Sequence, residues 1–345
     1  MHAMELQEGF GFANLREVDR PALEPGPGEV LIEVAAASIN RRDVGIVAGA
    51  ARNAALYQPP FTPLSDAAGR VIQSGPGALG WSLGDRVVAR FFPHWIDGPP
   101  RPELLEGVMG GGGQGAAQTH LIFPAHAVSA SPSTLTDIEA CTLPCAALTA
   151  WRALMVECEV RAGETVLVQG TGTVSLFALQ FAKAAGARVI ITSSSDEKLE
   201  KARGIGADLT VNYVRKLEWA AEARRLAGDP GIDHVIDVGG AATLRQSMAA
   251  VRFGGTIVLV GRLSGSEASV AVPQIFANNL RLIGVTVGNR VQFEAMVAAI
   301  ERHDIRPVID SVVPLAELPK ALSKAADGEQ FGKSVLTLTR PTTHL

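Results

Sequence analysis

The stretch VQGTGTVS (168–175) sets Gly170 and Gly172 directly after an apolar run, TVLVQ, and directly before residues at helical spacing. Glycine permits a tight turn at the first position. At the second it lets a pyrophosphate approach the backbone, with the free N–H groups of a helix start beyond it. Thr173 and Ser175 add hydroxyl donors, although Ser175 stands where the fingerprint has a third glycine. In this strand–turn–helix context the pattern predicts a bound dinucleotide. The next strand-like run, RVIIT (188–192), leads into Ser193, Ser194 and Ser195, with Lys198 one helical turn on. An NAD site places a carboxylate here for the ribose 2′-OH, and that carboxylate would repel a 2′-phosphate. Hydroxyls followed by a lysine favour NADP(H) over NAD(H). The same SSSDEK run also reads as an N-cap series opening a helix.

The elements that must carry this loop alternate. Strand-like TVLVQ, RVIIT, DLTVNY (208–213), HVIDV (234–238), TIVLVG (256–261) and LRLIGVTV (280–287) are separated by helix-like DEKLEKARGI, WAAEARRLAG and TLRQSMAAVR. Val174, Phe177, Ala178, Phe181, Ala182 and Ala185 make one apolar stripe on the helix after the glycines. Such alternation predicts an α/β fold with a doubly wound parallel sheet of right-handed βαβ units. Up to about residue 148 the chain reads instead as short strands between Gly and Pro turns, including VLIEVAAA (30–37), RVIQSG (70–75) and GDRVVARF (84–91). Residues 93–116 lack periodicity and hold the run Gly110–Gly113, which predicts a long mobile loop. From about 289 a helix, QFEAMVAAIERH, precedes KSVLTLT, a strand expected to rejoin the first domain.

A chain of 345 residues can bury two cores. A net charge of −4 gives no footing for a nucleic-acid backbone or an anionic membrane, so the expected partner is a small-molecule substrate. No apolar run approaches the length of a spanning helix, and MHAMELQEGFGF lacks the basic and apolar regions of a secretion signal. Three cysteines cannot build a disulfide framework, and the expectation is a cytoplasmic protein.

Several motifs occur in the order found in one family. EPGPGEVLIEV, ASIN with Asp43 beyond it, LPCAALTAW, VQGTGTVSLFALQFAKAAGA, DVGG and FGKSVL together resemble the zinc-independent, quinone oxidoreductase-like branch of the medium-chain dehydrogenases/reductases. The resemblance spans nearly the whole chain. It implies a GroES-like, mostly β barrel domain over 1–148 and 289–345, a Rossmann domain over 149–288, and a homodimer. It further implies that Gly170, Gly172, Thr173, Val174 and Ser175 hold the pyrophosphate. Ser193, Ser194, Lys198 and Tyr213 would surround the adenosine ribose phosphate, Thr149, Gly239, Val260 and Gly261 would border the ribose and nicotinamide, and Lys333 would close the site.

Zinc-dependent members of this superfamily use an early Cys, the His of a Gly-His-Glu motif, and a third Cys or Asp. Asn40 stands in the first place and Ser65, in LSD (64–66), in the second, which leaves Cys145 as the one ligand-type residue. Catalytic zinc needs three protein ligands and an open position, so no zinc is expected. Without a Lewis acid a simple ketone is a poor acceptor, whereas a quinone or enone delocalises the incoming charge. The expected activity is NAD(P)H-dependent hydride transfer to a quinone or enone. A metal-free alcohol or aldehyde dehydrogenase, or a catalytically silent NADPH-binding sensor or scaffold, are the alternatives. Asn40 could donate to the acceptor oxygen, and His94 could donate a proton. Arg42 is either a catalytic cation or the ion-pair partner of Asp43, and Asp66 stands where the zinc enzymes keep their glutamate or serves as a loop anchor.

Overall fold

A computed structural model describes residues 1–50, 57–110 and 114–338. It divides into two compact units, Met1–Leu148 with Val287–Leu345, and Thr149–Thr286.

In the first unit β1 (His2–Leu6) and β2 (Leu15–Asp19) form an antiparallel ribbon. The main sheet is built from β3 (Glu29–Ser38), β4 (Asp66–Ser74), β5 (Arg86–Ala89), β6 (His120–Pro124) and β7 (Val128–Ala130). Val30, Ile32 and Val34 of β3 alternate into a core that also takes Val71, Val87 and Leu121. The chain returns to this sheet at its far end, as the sequence leads one to expect. Two strands of the C-terminal segment, Ile309–Pro314 and Lys333–Thr337, pair parallel with each other, and the second pairs antiparallel with β3, Val335 facing Ser38. That pairing brings Lys333 to the end of β3.

The second unit is a parallel sheet whose strands are β8 (Thr165–Gln169), β9 (Arg188–Ser193), β10 (Leu209–Asn212), β11 (Ile232–Asp237), β12 (Val251–Leu259) and β13 (Arg281–Gly284). Their order in space is β10-β9-β8-β11-β12-β13, which reverses direction between β8 and β11 and marks the crevice at their carboxyl ends as the place for a ligand. Every residue of β8 is buried, as a central strand covered on both faces requires. The helix Thr173–Ala184 is buried over most of its surface, wider than the predicted stripe, and Phe181 stacks on Phe177 with Trp151 edge-on. The chain is thus α/β, a Rossmann-type parallel sheet with a GroES-like β unit.

One expectation is corrected. The helix placed over 243–252 lies at Ala241–Ala250, and β12 begins at once with Val251, which pairs with Ile232; the register then shifts across Gly254, at φ +72°, before Thr256 pairs with His234. The stretch 93–116 is packed at its two ends, 97–107 is largely exposed, and Gly111–Gly113 lie outside the described residues. Trp95 is buried and its carbonyl accepts from Arg290 N. A Cβ on Gly110 would fall 2.5 Å from Leu64 O, and one on Gly115 2.1 Å from Thr62 O. Close packing against 62–64 demands these two glycines. Among the described residues no helix is long and apolar enough to cross a membrane.

Candidate active site

The glycine loop leaves β8 through Gly170, whose φ of +72° is the left-handed region that a side chain would strain. Its N–H donates to Thr192 Oγ1 at 3.3 Å, which ties the turn to the end of β9. Gly172 is the N-cap of the helix Thr173–Ala184, in extended backbone at φ −79°. A Cβ built there would meet no protein atom within 4 Å, so the chain's own packing does not require glycine at this point. A cradle that a side chain would fill, facing the free N–H groups of a helix start, fits a dinucleotide pyrophosphate. Ser175 differs from expectation. Its hydroxyl is buried and donates to Gln169 O at 2.7 Å, so it braces helix against strand and is no donor to a ligand.

Gly239, Val260 and Gly261 lie together at the carboxyl ends of β11 and β12. A Cβ on Gly261 would fall 2.4 Å from Val238 O, and one on Gly239 2.4 Å from Thr243 Oγ1, so both glycines are required by close approach of the chain to itself. Val260 N donates to Asp237 O at 2.9 Å. The residue that organises this corner was not singled out from the sequence. Asp237, fully buried, accepts at Oδ1 from Gly239 N and Gly240 N, both at 2.9 Å, and from Thr243 Oγ1 at 2.8 Å. Its Oδ2 accepts from Ser247 Oγ at 2.6 Å, and Ser247 in turn accepts from Gln169 Nε2 at 2.7 Å. The signal was present in DVGG, an acid immediately before N–H groups that need an acceptor. Thr149 is buried at the start of this unit.

At the end of β9 Ser193 points inward. It is 3% exposed, its Oγ is 3.5 Å from Thr171 Oγ1, and it accepts from Ser195 N. Its hydroxyl is not presented to a 2′-phosphate. Ser194 is exposed, Lys198 is half-buried and Tyr213 is exposed. Ser195 caps the helix Asp196–Gly204 by accepting from Lys198 N at 3.3 Å, so the capping reading holds and leaves Ser194 exposed beside it. Asp196, the first carboxylate after the strand, is engaged with Asn212 Nδ2 at 2.6 Å and Arg215 at 2.5 Å.

The first unit has its own polar cluster, where β3, β4 and the C-terminal strand end side by side. Asn40 N-caps the short helix Arg41–Val47, and its backbone N–H donates to Asp43 Oδ2 at 2.8 Å. Its side-chain Nδ2 donates to Asp66 Oδ2 at 2.7 Å and to Ser65 Oγ at 3.3 Å, while Oδ1 accepts from Lys333 Nζ. Ser65 Oγ donates to Asp43 Oδ1 at 3.0 Å, and Lys333 Nζ stands 3.5 Å from Asp66 Oδ2. Asp66, Asp43, Ser65 and Lys333 are buried to within 1%. Burial pushes the carboxyls of Asp43 and Asp66 above their ordinary range, against the pull of Arg42 on the first and of Lys333, Asn40 and Ser38 on the second. Among the described residues Asp66 Oδ1 has no partner.

This arrangement corrects several assignments. Both N–H bonds of the Asn40 amide are engaged inside the protein, so no donor is left for an acceptor oxygen. Asp66 is fully enclosed and acts on its neighbours, beyond the loop-anchor role considered for it. Lys333 lies within this cluster, 1% exposed, and its ammonium faces Asn40 and Asp66. Arg42 pairs with Asp43 at 3.5 Å, donates to Met109 O at 3.0 Å and lies over the Phe91 ring, which makes it a brace for the 93–116 stretch. His94 is exposed and stacks on His126 at 5.7 Å.

The same cluster tests the fit of a zinc ion. Asn40 and Ser65 are neutral and already bonded, burial holds the Cys145 thiol protonated well above its usual range, and a buried ammonium sits among them. Zinc needs deprotonated thiolate, imidazole or carboxylate ligands. Among the described residues no three His, Cys, Asp or Glu side chains gather for a metal. These donors do not fit zinc.

Two family models match the chain, an alcohol dehydrogenase GroES-like domain over residues 26–133 and a zinc-binding dehydrogenase domain over residues 173–302. A zinc-type alcohol dehydrogenase-like protein of Schizosaccharomyces pombe is 42% identical over 90% of this chain and 91% of its own length. The quinone oxidoreductase of Pongo abelii is 29% identical over 91% of this chain and 90% of its own. A solved structure of a provisionally named alcohol dehydrogenase from Sinorhizobium meliloti 1021 superposes with a TM-score of 0.90 at 37% identity, covering 98% of this chain and 99% of that one. The fold, the glycine loop and these likenesses define an NAD(P)-dependent oxidoreductase. The chain belongs to the medium-chain dehydrogenase/reductase superfamily.

Proposed function

We propose that this chain is an NADPH-dependent reductase of quinone- or enone-type acceptors that works without zinc, as a homodimer. The observation that carries the reading is the cluster of Asn40, Ser65, Asp66 and Lys333, where zinc-using relatives are expected to hold the metal. In its place are a buried ammonium and neutral side chains whose hydrogen bonds are already made. Lys333 and Asp66 form an oriented, buried ion pair, and its ammonium end favours negative charge developing on an acceptor placed beside it. Asp66, Asn40 and Ser65 hold the ammonium in one orientation, so they act as positioning residues. A proton added to the cluster would go to Asp66 Oδ1, the oxygen without a partner.

The loop Gly170–Ser175 would hold the cofactor's pyrophosphate on backbone N–H groups, with Thr173 and Val174 at the helix start. Thr149, Gly239, Val260 and Gly261 would border the nicotinamide ribose. Ser194 and Lys198, with Tyr213 at the edge, would take the 2′-phosphate, and no unpaired carboxylate at the end of β9 opposes it. When bound, the nicotinamide supplies the hydride.

Single-turnover oxidation of bound NADPH, and separately of NADH, tests this against quinones, enones and simple ketones with divalent metals chelated. Fast oxidation by the conjugated acceptors alone, with NADPH ahead of NADH, is the expected result. Oxidation of simple alcohols with NADP⁺ would move the chain to the alcohol dehydrogenases. Tight binding of NADPH with no oxidation by any acceptor would favour a sensor.

A further inference from the structure

A cavity of about 770 Å³ opens on the first unit between the turn after β4, the residues joining β6 to β7, and the helix Arg290–His303. The proposed function does not use it. Trp81, Phe293 and Val297 give it an apolar lining, and Trp81 is fixed by donating its Nε1–H to Ala125 O at 2.9 Å. Ser129, His126 and Arg290 give it a polar one, and the buried Ser129 Oγ has no hydrogen-bond partner among the described residues.

Positive charge accumulates around this cavity without a matching number of acids. Arg90, 2% exposed, lies behind the segment 126–127 and donates to the carbonyls of His126 and Ala127, but its Nη1 has no partner among the described residues. Burial lowers its pKa to about 10, and Arg290 adds repulsion while Glu294 opposes it. Burial also holds the His126 ring below the usual imidazole range, with His94, Arg90 and Arg290 repelling its charged form. Among the described residues Glu294 is the one carboxylate in the lining, and it is already engaged with Arg290 Nε at 2.8 Å. Two guanidiniums therefore share one acid, among the described residues. The charge of Arg90 reaches the cavity wall at His126 through the segment 126–127, and an anion beside Arg290 gains from the field of both guanidiniums.

We propose that this cavity binds a small carboxylate with an apolar body, its head beside Arg290 and His126 and its body against Trp81, Phe293 and Val297. The size lies within the range of small-molecule sites, and the mixture of apolar wall and a few convergent polar groups is their usual make-up. Both halves of the ligand are needed. Charge alone would select inorganic ions, and the apolar wall alone would select neutral compounds.

Isothermal titration of the full chain with sodium octanoate, with 1-octanol as the uncharged counterpart, is the test. Octanoate should bind one per chain and at least about tenfold more tightly than octanol. Arg290→Gln should weaken octanoate about tenfold, and Val297→Asp should weaken it about as much by placing a carboxylate on the apolar wall, with NADPH binding and the thermal midpoint unchanged in both. Arg290 is on the surface and Val297 partly exposed, so both variants should fold. The proposal is overturned if octanoate does not bind, if octanol binds equally well, or if octanoate affinity is unchanged in either variant.

Discussion

The glycine loop of the second unit and the polar cluster of the first solve opposite problems. In the loop the backbone presents the chemistry, and the useful feature is the absence of side chains. Gly170 takes a left-handed turn and Gly172 leaves a volume that nothing in the protein fills. In the cluster the side chains are everything, every one is enclosed, and most of their hydrogen bonds close on each other. A site built from backbone tolerates side-chain changes around it but no added Cβ. A site built from a buried charge network fails when one member is lost.

The largest expected effect follows from that second property. Lys333→Met should destabilise the protein by about 3–5 kcal/mol in urea unfolding, because it strands Asp66 in a buried site without its cation. Adding Asp66→Asn to that variant should recover part of the loss. If Lys333→Met alone were neutral, the cluster would not be the ion-pair network described here. In the loop, Gly172→Val should leave the unfolding midpoint where it is and weaken dinucleotide binding about 100-fold, near 2.7 kcal/mol, measured by fluorescence titration. Equal losses of stability and affinity there would erase the contrast between the two regions.

A smaller effect sharpens the cofactor assignment. Ser194→Asp, at the exposed position beside Lys198, should shift the ratio of NADPH to NADH affinity about tenfold toward NADH. Asp at Ser193 would test less, since that side chain faces inward. The smallest effect is a slope. Burial raises the folded-state pKa of Asp66 above its unfolded value, so the folded state holds the proton longer and this group's contribution to stability falls as pH rises through the folded pKa. Asp66→Asn carries no such proton. The thermal midpoint of the wild type should therefore fall relative to the Asp66→Asn variant as pH rises above the ordinary carboxylate range. A difference independent of pH would mean that burial does not govern Asp66.

The two regions also differ in how much of them could be read in advance. Strand–helix alternation and the Gly170–Gly172 spacing are local signals, and they located the parallel sheet and its loop. The direction of a hydroxyl is not local. Ser175 and Ser193 both turned inward because strand ends beside them needed a donor or a filler. The cluster was legible only through resemblance, since Lys333 and Asn40 are 293 residues apart and meet because the C-terminal strand pairs with β3. No pattern in the sequence around Asn40 reveals that its amide is already fully bonded. Nor does the glycine-rich stretch near residue 110 show that Gly110 and Gly115 are packing glycines, because the backbone they approach lies some fifty residues earlier.

Zinc content and turnover measured on one preparation test the central claim most directly. Metal analysis of the purified chain, followed by NADPH oxidation with a quinone before and after exhaustive chelation, should show far less than one zinc per chain and the same rate in both assays. One zinc per chain, with activity lost on chelation and restored by adding zinc back, would contradict the assignment of that corner to Lys333 and its partners.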